Sequence, residues 1–333
     1  MRTTRLAPSP TGALHLGNAR TFLLNWLLAR QKGWRVVLRI EDLDGPRVKP
    51  GADRQAVDDL RWLGLDWDEG PVYQTPRLDR YGRAIGRLVE SGAAYPCVCS
   101  RKEVEAAASA PHAEDGAAVY PGTCRGRFAS IVDARLQTGR EPALRFAVPS
   151  GDGGRVEFDD EIRGPCRTDV ARELGDFVIA KGPEPARGAT AGHAGNGDRT
   201  PAYQLAVVVD DAEMGVTDVV RGDDLVDSTP RQILLYRALG IADRIPTYFH
   251  LPLVVGTDGR RLAKRHGDTR LSFYRDKGVA PGRVLALLAR WCGMSPGVRP
   301  RLAGELLQGF DPSKLPRSPV VFSDEDDAWL RAV

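Results

Sequence analysis

The chain has 333 residues, 47 Lys+Arg against 44 Asp+Glu, a formal net charge of +3, 42% hydrophobic and 27% charged residues. These values exclude wholesale disorder, a collagen-like repeat and a small disulfide scaffold, and they give room for two domains or one elaborate α/β domain. No apolar run spans a bilayer, and Met1–Arg5 leads into a Pro/Gly segment rather than an apolar core, so a cytoplasmic protein without membrane contact, and a monomer, is expected. Five cysteines is an odd number, which favours reduced thiols or metal ligands over disulfides.

In chain order, strand-like and helix-like stretches alternate, the pattern of a doubly wound parallel sheet. Thr3–Ala7 reads as a short strand ending at the stiff turn Pro8–Gly12. A helix begins near Leu16, with Phe22, Leu23, Trp26 and Leu27 at helical spacing and Gly33 as its stop. Trp34–Ile40 reads as a strand buried on both faces, and Ala52–Leu63 and Leu78–Val89 as helices. Cys97–Arg127, with three cysteines and an Ala-rich helix, reads as an insertion. Leu144–Val148 and Val156–Phe158 read as strands joined by a Gly-rich turn, Gly182–Thr200 as a surface loop, and Tyr203–Val209 as an apolar strand. Thr229–Leu239 reads as a helix, Leu251–Val255 as a strand, Gly256–Gly267 as a polar loop, and Ser272–Val333 as a short helical tail. The expected domains are 1–96 (first half of a nucleotide-binding domain), 97–127 (insertion), 128–267 (remainder, with a second insertion and a basic loop) and 268–333 (tail).

Three groups of residues carry chemistry. His15-Leu16-Gly17-Asn18 opens a helix, whose free N–H groups and positive dipole end suit a phosphate. His15 adds a donor, and Gly17 lets a nucleotide approach the backbone. Arg260–Gly267 is a basic loop in which Lys264 can neutralise charge on a triphosphate. Arg5, Ser9, Glu41, Tyr203 and Arg221 are scattered, but Glu41 and Arg221 fall at strand ends, where open parallel sheets bind ligands. An Arg there clamps a carboxylate through paired hydrogen bonds.

Taken together and in order, Arg5–Arg20, Arg39-Ile-Glu-Asp-Leu-Asp44, Tyr203–Asp211, Val220-Arg-Gly-Asp-Asp-Leu225 and Leu262-Ala-Lys-Arg-His-Gly267 resemble the glutamyl class of class I aminoacyl-tRNA synthetases. The resemblance covers roughly residues 1–270. It implies a class I, Rossmann-like catalytic fold and ATP-dependent activation of L-glutamate to glutamyl-adenylate. It implies that His15, Gly17, Asn18 and Lys264 bind ATP with its Mg²⁺, with His15 and Lys264 catalytic. It also implies that Arg5, Ser9, Glu41, Tyr203 and Arg221 bind glutamate. Asn18, Arg261 and Ala263 depart from the two family signatures.

Sixty-six residues follow Gly267, fewer than a helical anticodon-binding domain needs. The expectation is therefore the truncated branch of the class, which glutamylates queuosine of tRNA(Asp) rather than the 3′ end of tRNA(Glu). The alternatives are a glutamyl-tRNA synthetase charging tRNA(Glu) and a non-catalytic RNA-binding relative. In the truncated branch, Cys97, Cys99, Tyr120 and Cys124 correspond to one structural Zn²⁺ site, with His112 a competing fourth ligand on chemical grounds. Cys166 and Cys292 read as buried structural residues. Between Arg270 and Arg317 nine basic residues face three acidic ones, an excess suited to RNA phosphates.

Overall fold

Residues 1–107, 119–182, 199–262 and 267–332 are described in the computed structural model. Thr3–Leu6 (β1), Arg35–Ile40 (β2) and Glu69–Tyr73 (β3) form a parallel sheet in that order. Leu16–Lys32 (α1) crosses from β1 to β2, and Ala52–Trp62 (α2) from β2 to β3. α1 stops where expected: Gly33 adopts φ 65°, left-handed, and its N–H reaches the Ala29 and Arg30 carbonyls.

Leu78–Glu90 (α3) leads to Ala94–Cys97 (β4), Arg101–Ala107 (α4), Ile131–Thr138 (α5) and Ala143–Phe146 (β5). Arg155–Asp160 (β6), Gly164–Asp169 (β7), Val170–Glu173 (α6) and Phe177–Ala180 (β8) follow. β4, β5 and β8 make an antiparallel sheet of their own, so the Gly-rich turn after β5 separates two sheets rather than closing one hairpin. Tyr203–Glu213 (α7), Asp218–Gly222 (β9), Ser228–Ala238 (α8) and Thr247–Leu251 (β10) complete a second sheet ordered β7-β6-β10-β9. In it β10 runs parallel to both β6 and β9.

The apolar run after Tyr203 is a helix, not the expected strand. A short continuous apolar stretch does not distinguish a buried helix from a buried strand. Here helical spacing gives Asp210 and Asp211 separate buried partners. Asp210 accepts from Gln74, Arg77 and Tyr81, and Asp211 from Arg39.

The two parallel groups meet edge to edge. The Thr217 N–H donates to the Thr3 carbonyl at 2.9 Å, which sets β1 beside β9. The chain leaves β1 for β2 on one side and β9 for β10 on the other. A cleft opens beyond the carboxyl ends of strands at such a switch point.

The tail is more varied than a set of helices. Leu271–Asp276 (α9), Pro281–Trp291 (α10) and Asp324–Arg331 (α11) are joined by Val320–Val321, which pairs in parallel with Val254–Val255. Its Leu285, Leu288 and Leu330 are buried in one core with Leu6, Leu27, Leu38 and Leu60. A second core holds Val37, Tyr81, Leu205 and Leu235; a third, smaller one surrounds Tyr95, Cys97, Tyr120 and Cys124. Among the described residues no helix is long and apolar enough to cross a membrane.

Candidate active site

The cleft between β1 and β9 holds a cavity of about 540 Å³, within the usual range of small-molecule sites. Arg5, Ser9, Glu41, Tyr203 and Arg221 line it together with His15, Gly17 and Asn18. Residues up to 216 positions apart in the chain are thus brought to one wall by β1, β2, α7 and β9. Lys264, together with His112 and most of the Gly182–Thr200 stretch, lies outside the described residues.

The start of α1 differs from expectation in one respect. His15 is the N-cap, and its Nδ1 accepts from the Gly17 and Asn18 N–H groups at 3.1 and 3.4 Å. The Leu16 N–H donates to the Thr269 carbonyl. The first-turn N–H groups are therefore already partnered, and none of these three is free for a phosphate. With Nδ1 accepting, the neutral ring carries its proton on Nε2, which makes His15 the donor. Burial, helped by the charge of Arg261, lowers the His15 pKa to about 4, so the ring is neutral at pH 7. A Cβ at Gly17 would lie 3.0 Å from the His15 ring, so any side chain there would press on the cap.

Glu41 is held by Arg39, two residues before it in the chain. Arg39 is fully buried, donates to Glu41 at 3.0 Å and to Asp211 at 2.6 Å, and lies 3.9 Å from Asp210. Glu41 is the first residue beyond β2, two positions after Arg39, so the strand's period of two, carried one residue past its end, was a usable signal. Arg5 lies 3.4 Å from Asp211. Burial pushes the Glu41 carboxyl up, against the pull of Arg39 and Arg5. A cationic group arriving in the cavity would lower it again.

Arg221 is held differently. Its Nε donates to His250 Nε2 at 3.0 Å, Nη1 to Gln232 at 3.0 Å and Nη2 to Thr229 at 2.6 Å. These three acceptors are neutral. A buried guanidinium so held is a ready receptor for a carboxylate. His250, Gln232 and Thr229 were not singled out in the sequence, because only β10 and α8 bring them to Arg221.

Arg20 is a third buried guanidinium on the cavity wall. Its Nε donates to the Trp291 carbonyl at 3.0 Å and its Nη1 to the Pro252 carbonyl at 2.5 Å, which ties α1 to the tail.

In the insertion, Cys97, Cys99 and Cys124 bring their sulfur atoms within 4.8 Å of one another. The Tyr120 hydroxyl lies 3.4 Å from Cys97 Sγ and 3.7 Å from Cys99 Sγ, and Cys99 and Cys124 sulfurs are 3.5 Å apart. Ligand atoms about 2.3 Å from a tetrahedral Zn²⁺ sit about 3.8 Å from one another, so this donor set fits the metal. Burial raises the Cys99 thiol to about 11, a cost that a bound dication offsets. Cys292 is buried as expected; Cys166 is only half-buried.

Residues 2–305 match the family described as tRNA synthetases class I (E and Q), catalytic domain. The chain belongs to that family. It is 48% identical to the glutamyl-Q tRNA(Asp) synthetase of Symbiobacterium thermophilum, over 98% of this chain and 97% of that one. It is 42% identical to the glutamate–tRNA ligase of Syntrophobacter fumaroxidans, over 99% of this chain but 64% of the ligase. Among solved structures, a glutamate tRNA ligase from Elizabethkingia meningosepticum in complex with its amino acid superposes with a TM-score of 0.76 at 28% identity, over 99% of this chain and 68% of that one. All the residues that line the switch-point cavity fall within the matched catalytic domain.

Proposed function

We propose that this synthetase activates L-glutamate with ATP and transfers the glutamyl group to queuosine in the anticodon loop of tRNA(Asp). The observation that carries the first half is the convergence of Arg5, Ser9, Glu41, Tyr203 and Arg221 on one cavity beside the His15 turn. An acidic amino acid needs cationic clamps for its carboxylates and an anionic partner for its ammonium, and this wall offers both. Arg221 and Arg5 take the carboxylates, Glu41 attracts the ammonium, and Ser9 and Tyr203 fix its orientation. The His15 Nε2–H donates to ATP phosphate oxygens, and Gly17 and Asn18 shape the turn that aims it. Mg²⁺ enters with ATP, and Lys264 supplies charge to the leaving pyrophosphate.

In this reaction the glutamate α-carboxylate attacks the α-phosphorus, and the bond to the bridging oxygen of pyrophosphate breaks. The acceptor hydroxyl then attacks the carbonyl of the adenylate, releasing AMP. The protein contributes position and charge rather than covalent chemistry.

The choice of acceptor rests on relatives. Those named glutamyl-Q tRNA(Asp) synthetase match this chain at 42–48% identity along nearly their whole length. Cys97, Cys99, Tyr120 and Cys124 hold a structural Zn²⁺ that shapes the insertion. The domain divisions at 96/97, 127/128 and 267/268 are read as catalytic half, zinc insertion, catalytic half and tail.

The test is mass spectrometry of queuosine-bearing tRNA(Asp) after incubation with glutamate and ATP, beside tRNA(Glu). A mass gain of one glutamyl group on queuosine is expected. Charging of tRNA(Glu) alone would replace this acceptor with the one named for the ligase relatives. Absence of glutamate-dependent pyrophosphate exchange would remove the activation step.

A further inference from the structure

The neutral cradle of Arg221 is organised from further back. His250 is wholly buried on β10, its ring stacked on Tyr248 with centroids 5.9 Å apart. Its Nδ1 lies 2.6 Å from Asp160 Oδ2, and its Nε2 lies 3.0 Å from Arg221 Nε and 3.1 Å from Thr229 Oγ1. Arginine nitrogens only donate, so Nε2 must be bare and the proton must sit on Nδ1, facing Asp160. Asp160 is itself fixed. Its Oδ1 accepts from the Ile162 and Arg163 N–H groups at 3.0 and 2.9 Å, and its Oδ2 faces both the His250 backbone N–H, at 3.1 Å, and the imidazole.

Arg221 differs from the buried arginines Arg39 and Arg5 in its surroundings. Arg39 is neutralised by Glu41 and Asp211, and Arg5 lies against Asp211. Arg221 is 5% exposed, yet among the described residues no carboxylate oxygen lies within 4.0 Å of its guanidinium. Its three bonds to neutral acceptors use three of five donors and none of its charge. A direct carboxylate partner would fix the side chain equally well but would consume the charge that a ligand carboxylate needs.

We propose that the Asp160–His250 pair is the positioning device of Arg221: the carboxylate sets the imidazole tautomer, and the bare Nε2 holds the guanidinium while leaving its charge for the substrate carboxylate. This rests on Arg221 being a glutamate contact. The negative charge is thus kept one imidazole away from the guanidinium it orients. His250 and Asp160 line no part of the cavity, so they act through Arg221 and not on the ligand.

Asp160→Asn is the discriminating variant. The amide oxygen keeps the two N–H bonds at the Oδ1 position, so its NH₂ group faces Nδ1. The ring must then carry its proton on Nε2, donor against donor with Arg221. Glutamate-dependent ATP–pyrophosphate exchange, without tRNA, should show KM for glutamate raised at least about tenfold, with KM for ATP within about twofold. His250→Phe should do the same, and His250→Gln, which restores an acceptor, should recover most of the affinity. Nitrogen-15 NMR of the unaltered protein should show His250 neutral with the proton on Nδ1.

Folded Asp160→Asn and His250→Phe proteins with unchanged glutamate KM would overturn the proposal, as would a His250 proton on Nε2. Arg221→Gln separates the two layers. A raised glutamate KM in Arg221→Gln without one in the other two variants removes the positioning role alone. An unchanged KM in Arg221→Gln removes the glutamate contact and the proposal with it.

Discussion

Arg39 shows how one side chain underlies a site it does not itself line. It sits wholly buried among Glu41, Asp210 and Asp211. Removing one member of a buried charge network strands the others, at a cost of about 3–5 kcal/mol. Arg39→Met should therefore lose stability of that order by chemical denaturation and raise KM for glutamate, since Glu41 and Arg5 lose their frame. A loss below about 1 kcal/mol would show that Arg39 is not the keystone of this cluster. Lys264 stands on sequence alone, as the lysine of the second signature. Lys264→Ala should slow pyrophosphate exchange at least about 100-fold with little change in unfolding free energy, because charge stabilisation of a leaving group is a transition-state effect. Near-normal exchange would end that role.

At the scale of elements, two contacts can be probed. Asp59 on α2 is wholly buried, with Arg275 of α9 at 3.1 Å as its ion-pair partner. Burial outweighs Arg275 and raises its pKa from 3.8 to about 6. The folded protein thus holds a proton that the unfolded chain has released. This contribution is fully present below pH ~4 and is lost as pH rises through about 6, at most about 3 kcal/mol. Urea titrations should show that slope in the unaltered chain and a flatter profile in Asp59→Asn; parallel profiles would refute the assignment. The second contact is the Cys97–Cys99–Tyr120–Cys124 cluster linking β4 to the turn after the α4 segment. Metal analysis should give about one zinc per chain, and chelation should lower Tm through loss of the insertion. Protein purified without chelator and free of zinc would remove the site.

For the whole molecule, the tail is packed into the body of the catalytic domain. Within the basic stretch 270–317, Arg290 pairs with Asp326 of α11 and Arg275 with Asp59 of α2, so these two charges serve packing contacts. The tail's apolar residues are shared with the first core, and Arg20 bonds the Trp291 carbonyl from the cavity wall. Deleting residues 268–333 should therefore yield insoluble protein, and the intact chain should unfold in one transition, followed by calorimetry. A truncated chain that stays soluble and exchanges pyrophosphate would show the tail to be a separable appendage.

Legible in the chain alone were the βα alternation, the start and stop of α1, the cysteine cluster and the identities of the cavity residues. Helical spacing marks α1, a continuous Val/Leu run marks β2, Cys-x-Cys marks the insertion, and the ordered motifs mark the cavity residues. The sequence did not determine whether Leu205–Val209 is helix or strand, because a uniformly apolar run has no period to read. Nor did it show that the first N–H groups of α1 are already spent on His15 and Thr269. Which groups stand behind the site follows from packing between distant elements. Arg39 meets Asp211 and Arg221 meets His250 across strands and helices distant in the chain. Whether a buried arginine keeps or loses its charge depends on those neighbours, not on the residues beside it in sequence.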